Sequence, residues 1–227
     1  MNTLSKKNKN IITKIKSFLL DIFFPSFCAG CKKEGWFLCE NCKQKIELLK
    51  THSHFPEKAK IKKFYCAAEY RQKILKELIH NFKYKKIAQI KNEIGELVVK
   101  YLESVNFESS KEQILVPVPL HKKRLSDRGF NQSELIAKEL GKHFNIPVYN
   151  NIISRKKYTK HQTLEQKRKE RKENLKDAFS TRPNISLKNK EVILVDDVIT
   201  TGATLKECAK TLAKTNPKKI TAIVVAK

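Results

Sequence analysis

The residues best suited to chemistry lie in one segment, EVILVDDVITTGATL, which runs from Glu191 to Leu205. Its four apolar residues 192–195 predict a strand that is buried on both faces. Two adjacent carboxylates, Asp196 and Asp197, end that predicted strand, and a helical pattern begins at Leu205. Ligands of parallel α/β sheets bind beyond the carboxyl ends of the strands. The two carboxylates are therefore placed where a ligand is expected.

The loop between the carboxylates and the helix has the composition of a phosphate cradle. A loop that enters a helix offers unpaired backbone N–H groups and the positive end of the helix dipole. Gly202 lets the backbone come close to a ligand, and the hydroxyls of Thr200, Thr201 and Thr204 can donate hydrogen bonds. The carboxylates repel phosphate but accept hydrogen bonds from two sugar hydroxyls or from water around a metal ion. A ribose 5-phosphate would use both parts of this segment, the carboxylates for its vicinal hydroxyls and the loop for its phosphate.

The same segment resembles the phosphoribosyl-pyrophosphate (PRPP) motif of type I phosphoribosyltransferases, in which four apolar residues and two acids precede T-T-G-A-T. The resemblance implies that Asp196 and Asp197 hold the ribose 2′ and 3′ hydroxyls. It assigns the 5′-phosphate to Thr200, Thr201, Gly202, Ala203 and Thr204. A plain strand–turn–helix with a capping threonine is the alternative. The segment is not a Walker A loop, because G-x-x-x-x-G-K-[ST] does not occur.

Four cysteines near the N-terminus have the spacing of a metal site. Cys28 and Cys31 form one C-x-x-C pair, and Cys39 and Cys42 form a second. Two such pairs complete a tetrahedral thiolate site, which selects zinc and leaves no open position for catalysis. We therefore expect structural Zn²⁺; a redox dithiol or disulfides remain the alternatives. The remaining cysteines, Cys66 and Cys208, lie in apolar patterns and are predicted to be reduced core residues.

Basic residues dominate the composition. The 227 residues include 48 Lys and Arg against 23 Asp and Glu, which gives a formal net charge of +25. Such a charge indicates a polyanionic partner, such as nucleic acid, an acidic membrane surface or a phosphorylated substrate. The alternative is a basic surface that contacts only solvent. Aromatic residues make up only 8% of the chain. Binding to a single-stranded nucleic acid would thus be mainly electrostatic.

Two basic regions are candidates for phosphate contacts. The first is a predicted loop after the strand Ile114–Val118, from which Arg124 and Arg128 could hold a pyrophosphate. The second, residues 155–172, contains nine Lys or Arg against two Glu. We predict a mobile loop leading into a charged helix, which would either close over a reactive centre or follow DNA phosphates. Its candidate contacts are Arg155, Lys156, Lys157, Arg168 and Arg171.

Helical and strand patterns alternate along most of the chain. Apolar periodicity predicts helices over Tyr70–Ile90, Ile94–Leu102 and Ser133–Leu140, the last capped by Asn131 or Ser133 and ended by Gly141. A strand at Ile220–Val225 completes a doubly wound, mostly parallel α/β sheet. Ile11 to Phe24 is too short and too charged to cross a bilayer. We expect it to pack on its own domain, with a position on a membrane surface as the alternative.

The overall layout resembles the ComF family of competence-associated, phosphoribosyltransferase-like proteins. The resemblance covers nearly the whole chain from Phe24 onward and rests on four features in order. The first two are the two cysteine pairs and VPVPLHKKRLSDRGFNQ at 116–132. The last two are the series Arg155, Thr159, Gln162, Arg171, Asn174 and Phe179, and then LVDDVITTGATL at 194–205. Asp177 departs from the family, which tends to have glycine there. The implied organisation is a basic segment 1–24, a zinc-ribbon-like module 25–50 and a phosphoribosyltransferase-like domain 60–227.

Two functions follow from the resemblance. The first is an accessory role in handling single-stranded DNA during natural transformation, with a pocket for PRPP or a related ribose phosphate. Its expected partners are single-stranded DNA, a competence helicase and the inner face of the membrane, and its expected location is cytoplasmic or peripheral to that membrane. The second is an active transferase that moves ribose 5-phosphate from PRPP, with Mg²⁺, to an unidentified base. No single residue is identifiable as a general base.

Overall fold

The computed structural model describes residues 25–52, 54–55, 59–157 and 175–227. A four-stranded parallel sheet forms its centre, with β1 (Lys63–Ala68), β6 (Lys219–Ala226), β5 (Glu191–Val198) and β2 (Gln113–Pro117) side by side in that order. All three pairings are parallel, so the four carboxyl ends meet at one edge. Strands and helices alternate, which confirms the predicted α/β class.

Each face of the sheet carries its own hydrophobic cluster. Successive strand residues point to opposite faces, so Ile193 and Val195 join one cluster while Val192 and Leu194 join the other. Three helices cover the first face: α2 (Lys73–Tyr84), α3 (Lys91–Ser104) and α5 (Gln132–Phe144). The second face is covered by α6 (Ala203–Ala213) and by the antiparallel pair β3 (Ile153–Arg155) and β4 (Phe179–Thr181). Cys66 and Cys208 are buried in this second cluster, as predicted.

The helix predicted over Tyr70–Ile90 is divided in the structure. α2 ends at Tyr84, and a short 3₁₀ helix, Ala88–Ile90, precedes α3. Lys86 between them has a φ of 59°, a left-handed conformation that no continuous α-helix tolerates. The division places the last turn of α2 at the carboxyl edge of the sheet, where Lys83 reaches Asp197.

The region predicted to be a basic loop is instead a short helix, α4 (Lys122–Arg128). The backbone N–H of Lys123 donates to His121 Nδ1 over 3.2 Å, and Gly129, with a φ of 81°, ends the helix. Since His121 and Gly129 supply a start and a stop signal, the prediction of a loop here was wrong.

The prediction for the end of α5 was also wrong. The helix continues past Gly141 to Phe144 and ends at Asn145, which has a φ of 54°. Gly141 serves packing instead, because a Cβ there would lie 2.7 Å from the carbonyl oxygen of Ile146. Glycine at this position allows the chain after the helix to fold back against it.

The cysteine-rich segment packs directly on the first face of the sheet. Its short helix α1 (Glu40–Lys43) follows Cys39, and Leu38 and Ile46 share the hydrophobic cluster of α2 and α3. The amide of Gln72 fastens the segment, because it exchanges two 2.8 Å hydrogen bonds with the backbone of Glu47. Among the described residues, no helix is long and apolar enough to cross a membrane.

Candidate functional site

The two adjacent acids lie inside β5 rather than after it, because the strand extends to Val198. Asp196 Oδ1 accepts hydrogen bonds from the Ser133 hydroxyl and from the backbone N–H of Asp197, both over 2.9 Å. Asp197 Oδ1 accepts from the backbone N–H of Val198 over 2.6 Å and forms an ion pair with Lys83 Nζ at 2.8 Å. Each carboxylate is thus oriented by two partners.

Burial of this pair changes the acidity of Asp196. Burial raises its pKa from the ordinary 3.8 to about 7, and the negative charge of Asp197 acts in the same direction. The hydrogen bond from Ser133 and the positive charge of Lys83 oppose the rise. Asp196 therefore holds its proton to higher pH than an ordinary aspartate, so the pair carries less than two full negative charges near neutral pH.

Lys83 is the residue of this site that sequence reasoning missed. Its side chain is 17% exposed and that of Asp197 is 11% exposed, so water screens the ion pair only weakly. In the sequence Lys83 is one of several lysines on the polar face of an amphipathic helix, and no local signal separates it from Lys85. Only the packing of α2 against the sheet selects it.

The predicted phosphate loop is built as an entrance to α6. Gly202 takes a φ of 79° immediately before the helix, a conformation that favours glycine. The backbone N–H of Ala203 donates to Thr201 Oγ1 over 3.4 Å, and that of Lys206 donates to the carbonyl oxygen of Gly202 over 2.9 Å. The first N–H groups of the helix therefore begin directly beyond the carboxyl end of β5, as an anion site requires.

The N-terminus of α5 is held beside the acids by Asn131. Its amide nitrogen donates to the carbonyl oxygen of Val118 over 3.0 Å, and its side-chain oxygen accepts from the N–H of Ser133 over 3.2 Å. Of the two predicted caps, Asn131 therefore caps the helix. Ser133 is left to direct its hydroxyl to Asp196.

The structure brings two predicted basic residues together near the acids. Burial lowers the pKa of Arg155, and the positive charge of Arg124 lowers it further, whereas the negative charge of Asp196 opposes this change. Arg155 also lies 5.5 Å from the centre of the Phe179 ring, and its Nε donates to the carbonyl oxygen of Lys157. Arg124 and Arg155, which belong to different elements, are thus electrostatic neighbours beside Asp196.

The other predicted basic residues have different environments. Arg128 lies at the end of α4, where it donates to Gln132 Oε1 over 3.1 Å. Lys156 is exposed, and Lys157 Nζ donates to the carbonyl oxygen of Lys176 over 2.9 Å. Arg168 and Arg171 lie outside the described residues, as do Thr159, Gln162 and Asn174 of the family series.

The four N-terminal cysteines form one cluster. The sulfur atoms of Cys28, Cys31, Cys39 and Cys42 all lie within 4.8 Å of one another, and Cys39 Sγ is 3.6 Å from both Cys28 Sγ and Cys31 Sγ. A tetrahedral zinc with bonds of ~2.3 Å sets its sulfurs about 3.8 Å apart. All four thiols are free, so the cluster contains no disulfide. The spacing fits a metal with four thiolate ligands.

The backbone around the cluster supports the same interpretation. Burial raises the pKa of Cys28, but hydrogen bonds from the backbone of Cys39, Cys31 and Gly30 outweigh it, and the pKa falls to about 6. Burial and the neighbouring sulfurs raise the pKa of Cys42 to about 12. Gly30 allows the close approach, because a Cβ there would lie 2.5 Å from Cys42 Sγ. Several sulfurs compete for the same small space, which a shared cation would relieve.

The aromatic residues between the cysteine pairs divide between two environments. Phe37 packs against the first hydrophobic cluster, in agreement with a packing role. Trp36 is 56% exposed, and Phe27 beside the first cysteine is 50% exposed.

Comparisons with known proteins agree with this fold. The family model described as phosphoribosyl transferase domain matches residues 80–227. Competence protein F of Haemophilus influenzae is 30% identical over 208 residues, which cover 88% of this chain and 90% of that protein. DNA utilization protein YhgH of Escherichia coli K12 is 29% identical over 83% of each chain. Competence protein ComFC of Bacillus subtilis is 34% identical over 61% of this chain and 53% of that protein.

A solved hypoxanthine phosphoribosyltransferase from Staphylococcus aureus is a more distant match. It is 17% identical, covers 65% of this chain and 69% of that chain, and superposes with a TM-score of 0.35.

The parallel sheet, the acid pair and the glycine-containing loop define a domain of the phosphoribosyltransferase kind. The cysteine cluster and the similarity to competence protein F over most of both chains narrow the class further. The chain belongs to the ComF family.

Proposed function

We propose that the carboxyl edge of the sheet binds PRPP or a related ribose phosphate. The observation that carries the proposal is the direct succession of two oriented carboxylates and a helix entrance that starts at Gly202. Carboxylates accept hydrogen bonds from vicinal hydroxyls, and the helix entrance accepts a phosphate. One ribose 5-phosphate contains both the vicinal hydroxyls and the phosphate, which are separated by the sugar ring.

Each part of the site has a defined task in this proposal. Asp196 and Asp197 accept hydrogen bonds from the ribose hydroxyls, while Thr200 to Thr204 surround the 5′-phosphate. Arg124 and Arg128 face the pyrophosphate, and Arg155 adds positive charge close to Asp196. Mg²⁺ that arrives with PRPP would neutralise part of the pyrophosphate charge, and the two aspartates could accept hydrogen bonds from its water ligands.

A thermal-shift titration with PRPP and Mg²⁺ tests this pocket. Ligand at about 100 times its dissociation constant stabilises the folded state by roughly 2.7 kcal/mol. For a domain of this size we expect the midpoint of unfolding to rise by about 5–10 °C. The double variant Asp196→Asn/Asp197→Asn should lose the shift, whereas Asp127→Asn, an exposed carboxylate on α4, should retain it. An unchanged midpoint in the wild-type protein would refute the pocket.

We further propose that the protein acts in natural transformation as an accessory protein that handles single-stranded DNA. Relatives over most of the chain are named competence and DNA utilization proteins. The net charge of +25 suits a polyanionic strand. In this proposal the four-cysteine cluster holds a structural zinc that stabilises the module packed beside α2 and α3.

Direct binding to labelled single-stranded DNA tests this role. Affinity should fall steeply as salt increases, because each neutralised phosphate releases counterions. The measurement is fluorescence anisotropy over a salt series, with a duplex of the same length as the control. Absence of binding at low salt would overturn the DNA-handling proposal and leave the ribose-phosphate pocket to be judged by its own titration.

Turnover is the second candidate function, and the proximity of Arg124 and Arg155 to Asp196 favours it. A nitrogen of the base would form a bond to C1 of the ribose as the bond from C1 to the pyrophosphate oxygen breaks. The pyrophosphate would leave with the electron pair, and the proton of the attacking N–H group would pass to solvent. The arginines would stabilise the charge on the departing pyrophosphate. A coupled assay for pyrophosphate release with each common nucleobase tests this reaction; no release from any of them would contradict it.

A further inference from the structure

An exposed aromatic ring stands at the rim of the candidate site. Tyr84 is the last residue of α2 and is 53% exposed. The guanidinium carbon of Arg128 lies 5.5 Å from the centre of its ring, and the His80 ring lies 4.9 Å away at an interplanar angle of 40°. Even with these two neighbours, about half of the residue is exposed. Part of its surface is therefore accessible to a further group.

Two routes connect Tyr84 to the acid pair. The preceding residue, Lys83, forms the 2.8 Å ion pair with Asp197. On the other side, Arg128 donates to Gln132, the first residue of α5, and the next residue, Ser133, donates to Asp196.

The Phe82 and Phe130 rings, 5.4 Å apart, fasten α2 to the connection between α4 and α5. The position of Tyr84 relative to the acids is therefore fixed from both sides by packing and by hydrogen bonds.

The surroundings of Tyr84 are strongly basic. Lys85 and Lys86 follow it directly and are exposed, and Lys122 and Lys123 are exposed on α4, the helix that carries Arg128. An aromatic ring among several cations matches a strand that offers flat bases and negative phosphates in alternation. A neutral apolar partner would gain nothing from these charges.

We propose that Tyr84 stacks on a base of a single-stranded nucleic acid whose neighbouring phosphates contact Lys85 and Lys86. This inference rests on the proposed role in handling single-stranded DNA and names the part of the surface that would read the bases. Stacking on an aromatic ring tolerates any sequence, since every base has a flat face. Arg128, already beside the ring, would contribute charge on the same side as the phosphates.

A comparison of two strands of equal length tests the proposal with the full chain. One is oligothymidylate, and the other is an abasic deoxyribose-phosphate strand that retains the phosphates and lacks the bases. In anisotropy titrations at low salt, Tyr84→Leu should weaken binding of oligothymidylate by about 5-fold to 100-fold. Binding of the abasic strand should be unchanged. Tyr84→Phe, which keeps the ring, should stay within about 2-fold of the wild type on both strands.

The matched control is Tyr149→Leu, because Tyr149 is also a half-exposed tyrosine, at 46%, and lies on a different element, ahead of β3. It should leave both affinities unchanged, and thermal unfolding should show that every variant is folded. Equal loss on both strands in Tyr84→Leu, or no loss on either, overturns the stacking role while the DNA-handling proposal stands. Wild-type protein that binds neither strand overturns both proposals.

A competition experiment distinguishes a nucleic acid strand from a free nucleotide as the molecule that stacks on Tyr84. Thymidine 5′-monophosphate at the same nucleotide concentration should compete poorly, because it offers one phosphate to a surface with several cations. Competition as strong as that of the oligonucleotide would assign Tyr84 to a small acceptor molecule and overturn the strand proposal.

Discussion

The cysteine cluster and the acid pair are both groups of crowded acidic side chains, but they are assembled and neutralised in different ways. The four sulfurs come from the short stretch between Cys28 and Cys42. The acid pair is completed by Lys83 from α2 and Ser133 from α5, which are far from it in the chain. Burial and the neighbouring sulfurs raise the pKa of Cys42, whereas Asp197 is paired with a cation of the protein, Lys83.

The two regions therefore differ in what they require from outside the chain. A thiolate cluster requires a metal cation, and the metal therefore contributes to folding. The acid pair is oriented by groups of the protein, Lys83 and Ser133 among them. In the proposed pocket, hydroxyls of the ligand would replace one of these partners. The following experiments remove these supports one at a time, and the expected effects decrease in order.

Loss of the second cysteine pair should have the largest effect. Cys39→Ser with Cys42→Ser removes two of four ligands, so bound zinc should fall from one per chain to none. The free energy of unfolding should fall by up to about 10 kcal/mol, since binding of a structural metal is coupled to folding. Elemental analysis and thermal unfolding measure both effects. Cys66→Ala, a buried cysteine outside the cluster, is the control and should retain zinc; zinc retained in the double variant would contradict the assignment.

Replacement of Lys83, the cation paired with Asp197, should have the next largest effect. Lys83→Met leaves Asp197 without its ion-pair partner in a site where both side chains are largely buried. We expect the free energy of unfolding to fall by about 1–3 kcal/mol, which is below the value for a fully buried pair. Urea unfolding measures it, with the exposed Lys85→Met as the control. If both variants lose the same stability, the acid pair does not depend on an internal cation.

Asp196→Asn should have an effect that depends on pH. The pKa of Asp196 is about 7 in the folded protein and ordinarily 3.8, so the folded state binds more protons between these values. The free energy of unfolding of the wild type therefore decreases as pH rises from about 4 to 7. Asparagine keeps the acceptor oxygen for Ser133 and cannot lose a proton.

The Asp196→Asn variant should accordingly exceed the wild type in stability at pH 8 by on the order of 1–4 kcal/mol. The advantage should disappear near pH 4. Urea unfolding at several pH values provides the measurement, and Asp127→Asn controls for the loss of a surface charge. A difference that does not vary with pH would show that Asp196 remains ionised throughout.

The smallest expected effect concerns a contact beside the cysteine segment. The Tyr101 hydroxyl accepts from the backbone N–H of Cys66 over 3.3 Å and donates to the carbonyl oxygen of Thr51 over 3.1 Å. Tyr101→Phe should therefore lower the free energy of unfolding by about 1 kcal/mol without changing zinc content. Elemental analysis beside urea unfolding checks both statements; a loss of zinc would show that the two regions are coupled more strongly than their contacts indicate.

The sequence predicted the elements whose signals are local. The strand that carries Asp196, the parallel α/β class, the cysteine cluster and the buried Cys66 and Cys208 are all present. Local signals were also present where a prediction was wrong, because His121 caps the start and Gly129 caps the end of a helix where a loop was expected. The left-handed Lys86 that divides the long predicted helix had no such signal, because lysine rarely takes this conformation.

The sequence alone predicts which chemical groups stand together locally. Two carboxylates joined to a glycine-containing loop and two C-x-x-C pairs are fixed by spacing of a few residues, over which the chain has little freedom. Only the tertiary structure decided that Lys83 pairs with Asp197, that Ser133 orients Asp196 and that Tyr84 stands exposed beside Arg128. Those contacts join distant segments through the packing of helices on a sheet, and no local pattern encodes which of many similar side chains will meet.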